Sequence, residues 1–436
     1  MKGMSMGRLI KNRWGVLFLV LILSASLLMM GGCGSGDGDN EASDDKTVKI
    51  GVLGPFTGPA ARVGEEFKAS TEMAFEAVDY QIGDHEIELV WIDSESDAEK
   101  AARAYEQAIV KDKIDCGFLN WHSWVSVSCM EVAAKYKIPH FFSIGGTDIV
   151  NEKYESDPEK YFYWVGKGWP VPEKLSISYV TTLEEAIDKG IWEPRNKKVA
   201  MYGVDNDWGR GFANALRSQF EDAGWEVVSE DWVALGETEF YPMLNKLKSL
   251  DVSVIAGTMS DPPSVSSFIK QSREVGLESL IICDGLGWVG EWYDLTGEAS
   301  DYVIDQIPQW ATPEAQKFAS EFEERYGLEP GANSGGLCYD LARFLVKVLE
   351  TCDEQYGDIN TENLTKIAKD EVMTGNLTLD DGVMTSVYQY TPETFPDPVV
   401  DKEHYIFPVI QYFDGEAKIV WPEEWKEQDL QIPEGM

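Results

Sequence analysis

The residue types that most often do chemistry are present in this chain but are not arranged for it. Its four histidines, His85, His122, His140 and His404, are dispersed. None stands in the His-Glu-x-x-His spacing that sets two ring nitrogens on one helical face for zinc. The Gly-x-Ser-x-Gly run Gly3-Met4-Ser5-Met6-Gly7 lies in the basic segment ahead of the first apolar run, and no such run follows a strand as a nucleophile elbow would. Gly285-Leu286-Gly287-Trp288-Val289-Gly290 matches the glycine fingerprint of dinucleotide binders. It lies late in the chain with an indole in the loop, whereas such sites use the first strand–helix turn. Nucleotide binding is therefore not expected, nor any cofactor, metal or catalytic set. A secreted hydrolase is the weaker alternative, needing a coupled carboxylate pair that 76 acidic residues would also bring together by chance. His140, in an apolar strand, reads as a core residue. His122, in a loop, could donate a hydrogen bond or switch near its ordinary pKa.

What the sequence does offer is capture. From Thr47 onward, short apolar strands alternate with amphipathic helices: strand Val48–Leu53, helix Glu65–Tyr80, strand Glu86–Trp91, helix Asp97–Val110, strand Ile114–Leu119, helix Val125–Tyr136, strand Ile138–Phe142. After the aromatic, Pro-rich stretch 161–172 the alternation resumes, from Lys198–Gly203 to Leu280–Asp284. This periodicity predicts α/β architecture with two doubly wound parallel-sheet lobes. Later helices are expected at Pro313–Tyr326, Ser334–Thr351 and Thr361–Asp370, and strands at Thr385–Tyr390 and Tyr405–Phe413. In open sheets of this kind ligands sit beyond the carboxyl ends of the strands. The loops there carry Gly, Pro, hydroxyl and indole groups: Gly54–Gly64, Asn120–Trp124, Ser143–Asp148, Asp205–Gly211, Thr258–Asp261 and Asp284–Trp288. Each could be ordinary helix capping, but three at successive strand ends of one lobe, matched by three in the other, read as a cleft. Trp121, Trp208 and Trp288 are its aromatic candidates, and Asp284 either faces a ligand cation or caps a helix.

Upstream of this body, Lys2, Arg8, Lys11 and Arg13 precede an apolar run Val16–Met30 and then Gly31-Gly32-Cys33. The run is short for a bilayer span and has the form of an export signal. Met30-Gly31-Gly32-Cys33 resembles a lipobox, with Cys33 as the lipid attachment point and residues 1–32 removed; the competing reading is an uncleaved anchor helix. Residues 33–46, almost free of apolar side chains, form a flexible tether. Both readings place the rest outside the cytoplasm, membrane-anchored. Cleavage leaves 404 residues and takes the formal charge from −39 to −43. So acidic a chain has no counterions to release from nucleic acid, which excludes that partner. Five cysteines remain, Cys116, Cys129, Cys283, Cys338 and Cys352. They read as buried thiols, with Cys116–Cys129 the alternative bonded pair.

The stretches VKIGVLGPFTGPAARVG, SIGGT, YGVDNDWGRG, FEERYGLEPGANSGGLCYDLARFLVKVLE and DGEAKIVWPEEW, in this order, resemble type I periplasmic solute-binding proteins of the branched-chain amino acid and amide/urea subfamilies. The resemblance spans Val48 to Trp425. It implies two lobes joined by a three-crossover hinge, 47–168 plus 309–370 and 169–308 plus 371–425, with 426–436 as a tail. It implies a small-molecule ligand, a monomer, and delivery to an ABC transporter permease; presentation to a membrane sensor is the alternative. The ligand positions it implies are Trp121, His122, Ser123, Gly145, Gly146 and Thr147 in the first lobe. In the second they are Trp208, Asp261, Asp284 and Trp288. The chain departs from the amino-acid binders at Trp121 and His122, where those have small hydroxylated residues, and at Trp208, where they have tyrosine. Asp284 stands where a glutamate is expected. A more aromatic pocket follows, suited to an amino acid, a short amide or urea, or a small aromatic acid.

Overall fold

The strand expected at Val48–Leu53 runs Thr47–Gly54 (β1) and is buried from Ile50 onward because parallel neighbours flank both its edges. The computed structural model describes residues 46–306, 310, 312–401, 403–405, 408–433 and 435–436. Cys33, the apolar run before it and the tether lie outside these residues. Around β1 the first sheet adds β2 (Gln81–Ile82), β3 (His85–Asp93), β4 (Cys116–Phe118), β5 (His140–Ser143) and β6 (Trp164–Lys167), in the order β2-β3-β1-β4-β5-β6. All pairs are parallel except the β2–β3 hairpin. Ile50 lies opposite Leu89 on one side and Cys116 on the other, so the central strand buries both faces, as parallel sheets must.

The second sheet contains β7 (Lys198–Val204), β8 (Glu226–Val233), β9 (Val254–Thr258), β10 (Leu280–Asp284), β11 (Ile304–Gln306), β12 (Val409–Phe413) and β13 (Glu416–Trp421), ordered β13-β12-β11-β10-β9-β7-β8. β12 and β13 join antiparallel. Both sheets reverse winding direction beside their first strand, at β1/β4 and β7/β9. There the loops leave on opposite faces and a crevice must open. The two-lobed α/β architecture read from the sequence is the observed one.

The chain passes between the sheets three times. It leaves β6 for the helix Pro172–Asp188 and β7, and returns with the helices Pro313–Tyr326 and Leu337–Tyr356, which pack on the helix Ala61–Glu76. It then crosses again to β12. Before that last crossing, the backbone N–H groups of Val383 and Met384 each reach Asp340 at 2.8 Å, and Tyr388 donates to the same carboxylate at 2.9 Å. Those N–H groups are thereby withdrawn from any sheet. The strand expected at Thr385–Tyr390, just beyond them, is reduced to a single bridge, Leu379 to Tyr388. This stretch, grouped by the sequence with the second lobe, makes these bonds to a helix that packs on the first.

All five described cysteines are buried free thiols. Cys116 and Cys129 are both free, so the disulfide considered for them is absent from the structure. His140 is a core residue, stacked on Trp164 at 4.0 Å and bonded to Tyr105 at 3.0 Å. Burial pushes its pKa down to about 3.

Lys167, at the end of β6, ties the first crossover together. Its ammonium pairs with Asp397 at 2.9 Å with both side chains essentially unexposed, and it donates to the Gly146 and Thr147 carbonyls at 3.2 Å. Removing one partner of a buried pair strands the other charge. Lys167→Met is expected to lower unfolding stability by about 3 kcal/mol in urea titrations followed by circular dichroism. An unchanged midpoint would show that the pair does not hold this crossover.

Candidate functional site

The loops at the two switch points meet. After β4 the backbone turns at Leu119, held at φ +60°, and near the end of β5 at Phe142, φ +58°. Bulky residues rarely occupy that left-handed region, and such strain concentrates where a loop must be aimed. The Asn120 amide donates to the His122 carbonyl and to Ser126 Oγ, both at 2.8 Å, and Ser126 Oγ bonds Ser143 Oγ at 2.8 Å. Those bonds fix Trp121-His122-Ser123 at the start of the helix Ser123–Tyr136. A Cβ on Gly145 would come within 2.2 Å of Ser126 Oγ, and one on Gly146 within 2.9 Å of the Trp208 ring across the gap. Gly146 thus lets the second lobe's indole approach the first lobe's backbone.

In the second lobe, Trp208 begins the helix Asp207–Asp222 and donates to Thr258 Oγ1 at 3.0 Å. The loop bearing Trp288 is held from below by Asp305. This buried carboxylate takes the N–H groups of Gly285 at 3.1 Å and Gly287 at 2.9 Å, and the Tyr412 hydroxyl at 2.8 Å.

Between the loops lies a gap walled by five indoles, Trp121, Trp124, Trp169, Trp208 and Trp288. Ile144 and Gly146 complete the apolar lining, and His122, Ser123, Ser260 and Asn333 supply the polar one. The enclosed space totals about 360 Å³ including its mouth, of which about 30 Å³ admits the centre of a water molecule. Trp121 and Trp288 meet across the lobes edge to face, at 5.2 Å and 88°. His122 stacks on Trp124 at 4.1 Å.

Five buried polar atoms in this lining have no hydrogen-bond partner: His122 Nε2, Ser260 Oγ, Trp288 Nε1, and both amide atoms of Asn333. Leaving a buried polar group unpaired costs about 1–3 kcal/mol, so such a concentration marks a place completed by a guest or by water. The lining contains no Asp, Glu, Lys or Arg.

Of the ten positions expected, Trp121, His122, Ser123, Gly146, Trp208 and Trp288 line the gap; the other four do not. Gly145 packs behind the loop. Thr147 caps the helix Asp148–Ser156 by accepting from Ile149 N at 3.3 Å. Asp261 caps the helix Pro262–Glu274, taking Ser264 N at 2.9 Å and Gly236 N at 3.1 Å. Asp284 faces inward, accepting from Tyr179 at 3.0 Å and Thr258 at 3.2 Å. Burial, with Asp305 beside it, raises Asp284 well above the usual carboxylate range, and its oxygens are engaged away from the gap. Burial likewise lowers His122 to about 3, which removes the near-neutral pH switch considered for it. Trp124, Trp169, Ser260 and Asn333 were not singled out from sequence. The signals available were an aromatic, Pro-rich crossover for Trp169 and a Gly/Asn/Ser run before a long helix for Asn333.

At the rim an ionic cluster spans the lobes. Arg62 on the helix Ala61–Glu76 pairs with Glu66 at 2.9 Å and reaches Glu291, beyond β10, at 2.5 Å, and donates to the Glu329 carbonyl at 3.0 Å. Against the burial that opposes its charge, Glu66 and Glu291 hold the Arg62 pKa above its ordinary value. Glu66 is fully buried. Burial pushes its pKa up to about 8, against the pull of Arg62, Ser334 and Gly331. Ser334 Oγ lies 2.5 Å from the Trp288 carbonyl and also contacts the Glu66 carboxyl. Ser334 thereby links the Glu66 carboxyl to the backbone of the Trp288 loop. Away from the gap, Asp84, His85 and Asp353 bring potential metal-ligating atoms within 4.8 Å of one another, but Asp84 already holds Lys46 at 2.5 Å.

Comparison with known proteins gives a consistent set of matches. The family described as periplasmic binding protein matches residues 47–389. A Leu/Ile/Val-binding protein homolog of Brucella suis is 25% identical over 237 residues, 53% of this chain and 56% of that protein. The chain thus spans about half the length of the curated relatives it matches first. A solved structure of a putative branched-chain amino acid ABC transporter protein from Silicibacter pomeroyi superposes with a TM-score of 0.72 at 20% identity, covering 89% of this chain and all of that one. A solute-binding protein of Rhodopseudomonas palustris in complex with 3,4-dihydroxybenzoic acid gives 0.70 at 20% identity, covering 89% and 99%. No helix among the described residues is long and apolar enough to cross a membrane.

Folded Glu66 keeps its proton to about pH 8, whereas an exposed glutamate releases it near 4.5. The unfolded chain therefore loses that proton first. Its contribution to stability is full below about pH 4.5 and is lost as pH rises through about 8. Glu66→Gln removes this titration. The melting temperature of the wild type is expected to fall relative to the variant between about pH 5 and about pH 9. A constant difference would place Glu66 outside this account.

Proposed function

Because the chain belongs to the periplasmic binding protein family, we propose that it is an extracytoplasmic solute-binding protein. In this reading it encloses a small organic solute between its two lobes and delivers it to an ABC permease without altering it. The observation that carries the reading is the set of five unpartnered polar atoms facing one gap walled by both lobes. A guest that satisfies atoms on both sides binds the closed form better than the open one, and that differential shifts the population toward closure. The Trp121–Trp288 contact and the Arg62–Glu291 pair join the lobes in the conformation described. In this proposal Cys33 carries the lipid that tethers the body to the membrane. The lobes are taken as 47–168 with 309–370 and 169–308 with 371–425.

The indole walls and the small size of the gap support a compact, partly apolar solute, within the range of small amino acids and small aromatic acids. Asn333 provides the sharpest test because its amide makes no hydrogen bond within the protein. A thermal-shift screen of amino acids, amides and aromatic acids should yield at least one solute that raises the melting temperature. Asn333→Ala is expected to weaken binding of that solute about tenfold or more while leaving the empty protein as stable or slightly more so. Equal affinity in the variant would remove Asn333 from the site. For the anchor, labelled fatty acid should be incorporated by the full chain and not by Cys33→Ser; labelling of both would exclude lipidation at Cys33.

A further inference from the structure

The lining of the gap restricts the chemistry of its guest more than its size does. A primary ammonium buried there would bring three N–H donors to walls that offer no carboxylate. The unpartnered acceptors are hydroxyl, amide and ring atoms, and a buried charge without a counter-charge is costly. Five indoles provide a different kind of negative surface. Their π faces attract a cation diffusely, tryptophan more strongly than tyrosine or phenylalanine, and ask for no hydrogen bond in return. The arrangement also matters. Trp121 and Trp288 stand at 88° to each other, making a corner that suits a rounded group better than a flat slot suits a ring. A body with a formal charge near −40 further raises the local concentration of cations.

At the same gap, the helix Ser123–Tyr136 begins at a lining residue and has no side-chain cap. Its partial positive end, together with the free Trp288 N–H and Asn333 amide, favours oxygen acceptors at the other end of the guest. We propose that this gap takes a compact zwitterion whose cation is a methylated ammonium without N–H donors, glycine betaine being the simplest example. The methylated nitrogen lies in the indole corner. The carboxylate meets Trp288 Nε1, Asn333 Nδ2 and the N-terminus of the helix Ser123–Tyr136. This assignment rests on the solute-binding reading and names the class of solute for it.

Calorimetric titration of the purified protein tests the assignment with four probes: glycine betaine, its uncharged-head isostere 3,3-dimethylbutyrate, leucine and benzoate. Glycine betaine is expected to bind, and the isostere, equal in shape but lacking the cation, to bind about a hundredfold more weakly. Trp288→Leu and Trp121→Leu should each weaken betaine about tenfold. A normal melting temperature in the empty variants would confirm that folding is retained. If a variant fails to fold, the betaine-to-isostere ratio in the wild type decides alone. Binding of the isostere as tightly as betaine overturns the cationic assignment. Binding of leucine or benzoate without betaine also overturns it, while leaving the solute-binding reading intact. No heat from betaine overturns it whatever the other probes do.

Discussion

Two sheets built separately must leave their loop-bearing edges facing each other, and what lies between those edges governs the rest of this molecule. The facing surfaces are apolar, uncharged and rich in indole, so water is held there poorly and closure removes a large aromatic area from solvent. An edge-to-face indole pair such as Trp121–Trp288 contributes about 1 kcal/mol beyond its area. The rim charges, Arg62 with Glu291, lie where solvent still reaches, so the ionic contact confers alignment more than energy. The polar atoms left unpaired inside offset part of the gain from closing without a guest. In the proposed function, apolar contact draws the lobes together and a guest satisfies the polar atoms they enclose.

The supports behind the gap show how little of a binding site touches its ligand. Asp305 gathers two backbone N–H groups of the Trp288 loop. Lys167 gathers the carbonyls of Gly146 and Thr147. Asn120 locks the turn that carries Trp121. Each is a buried polar group bonded to the backbone of a gap loop, which holds that loop in place. The Glu66–Ser334 contact extends the same logic across the lobes, because Ser334 adjoins Asn333 in the chain and bonds the carbonyl of Trp288. The rim cluster and the gap therefore share one stretch of backbone, 331–336.

The strand–helix alternation was legible because apolar periodicity reports burial directly. β1, β7, β9 and β10 stand within two residues of their expected places, and the helix Pro313–Tyr326 has its expected ends. The helix Pro172–Asp188 was not anticipated, since its proline-rich approach reads as a linker; proline at its first position is in fact compatible with a helix start. In the site, the indoles and Gly146 were visible as unusual types in loops at strand ends. The carboxylates misled. Asp261 and Asp284 stand at the same kind of loop, and sequence does not distinguish a carboxylate that faces a ligand from one that caps a helix or bonds a buried tyrosine. Asn333 was obscured for a related reason: it comes from a segment far along the chain that returns to the first lobe, and only the packing of the helix Leu337–Tyr356 on Ala61–Glu76 brings it to the gap.

The claim that one guest is held by both lobes can be read from fluorine NMR of protein labelled with 5-fluorotryptophan, each resonance assigned by single Trp→Phe replacement. On saturation with a bound solute, the account predicts that Trp121 and Trp124 from the first lobe and Trp208 and Trp288 from the second shift together, while core indoles such as Trp164 and Trp192 stay in place. Shifts confined to one lobe, or confined to indoles outside the gap, would contradict it.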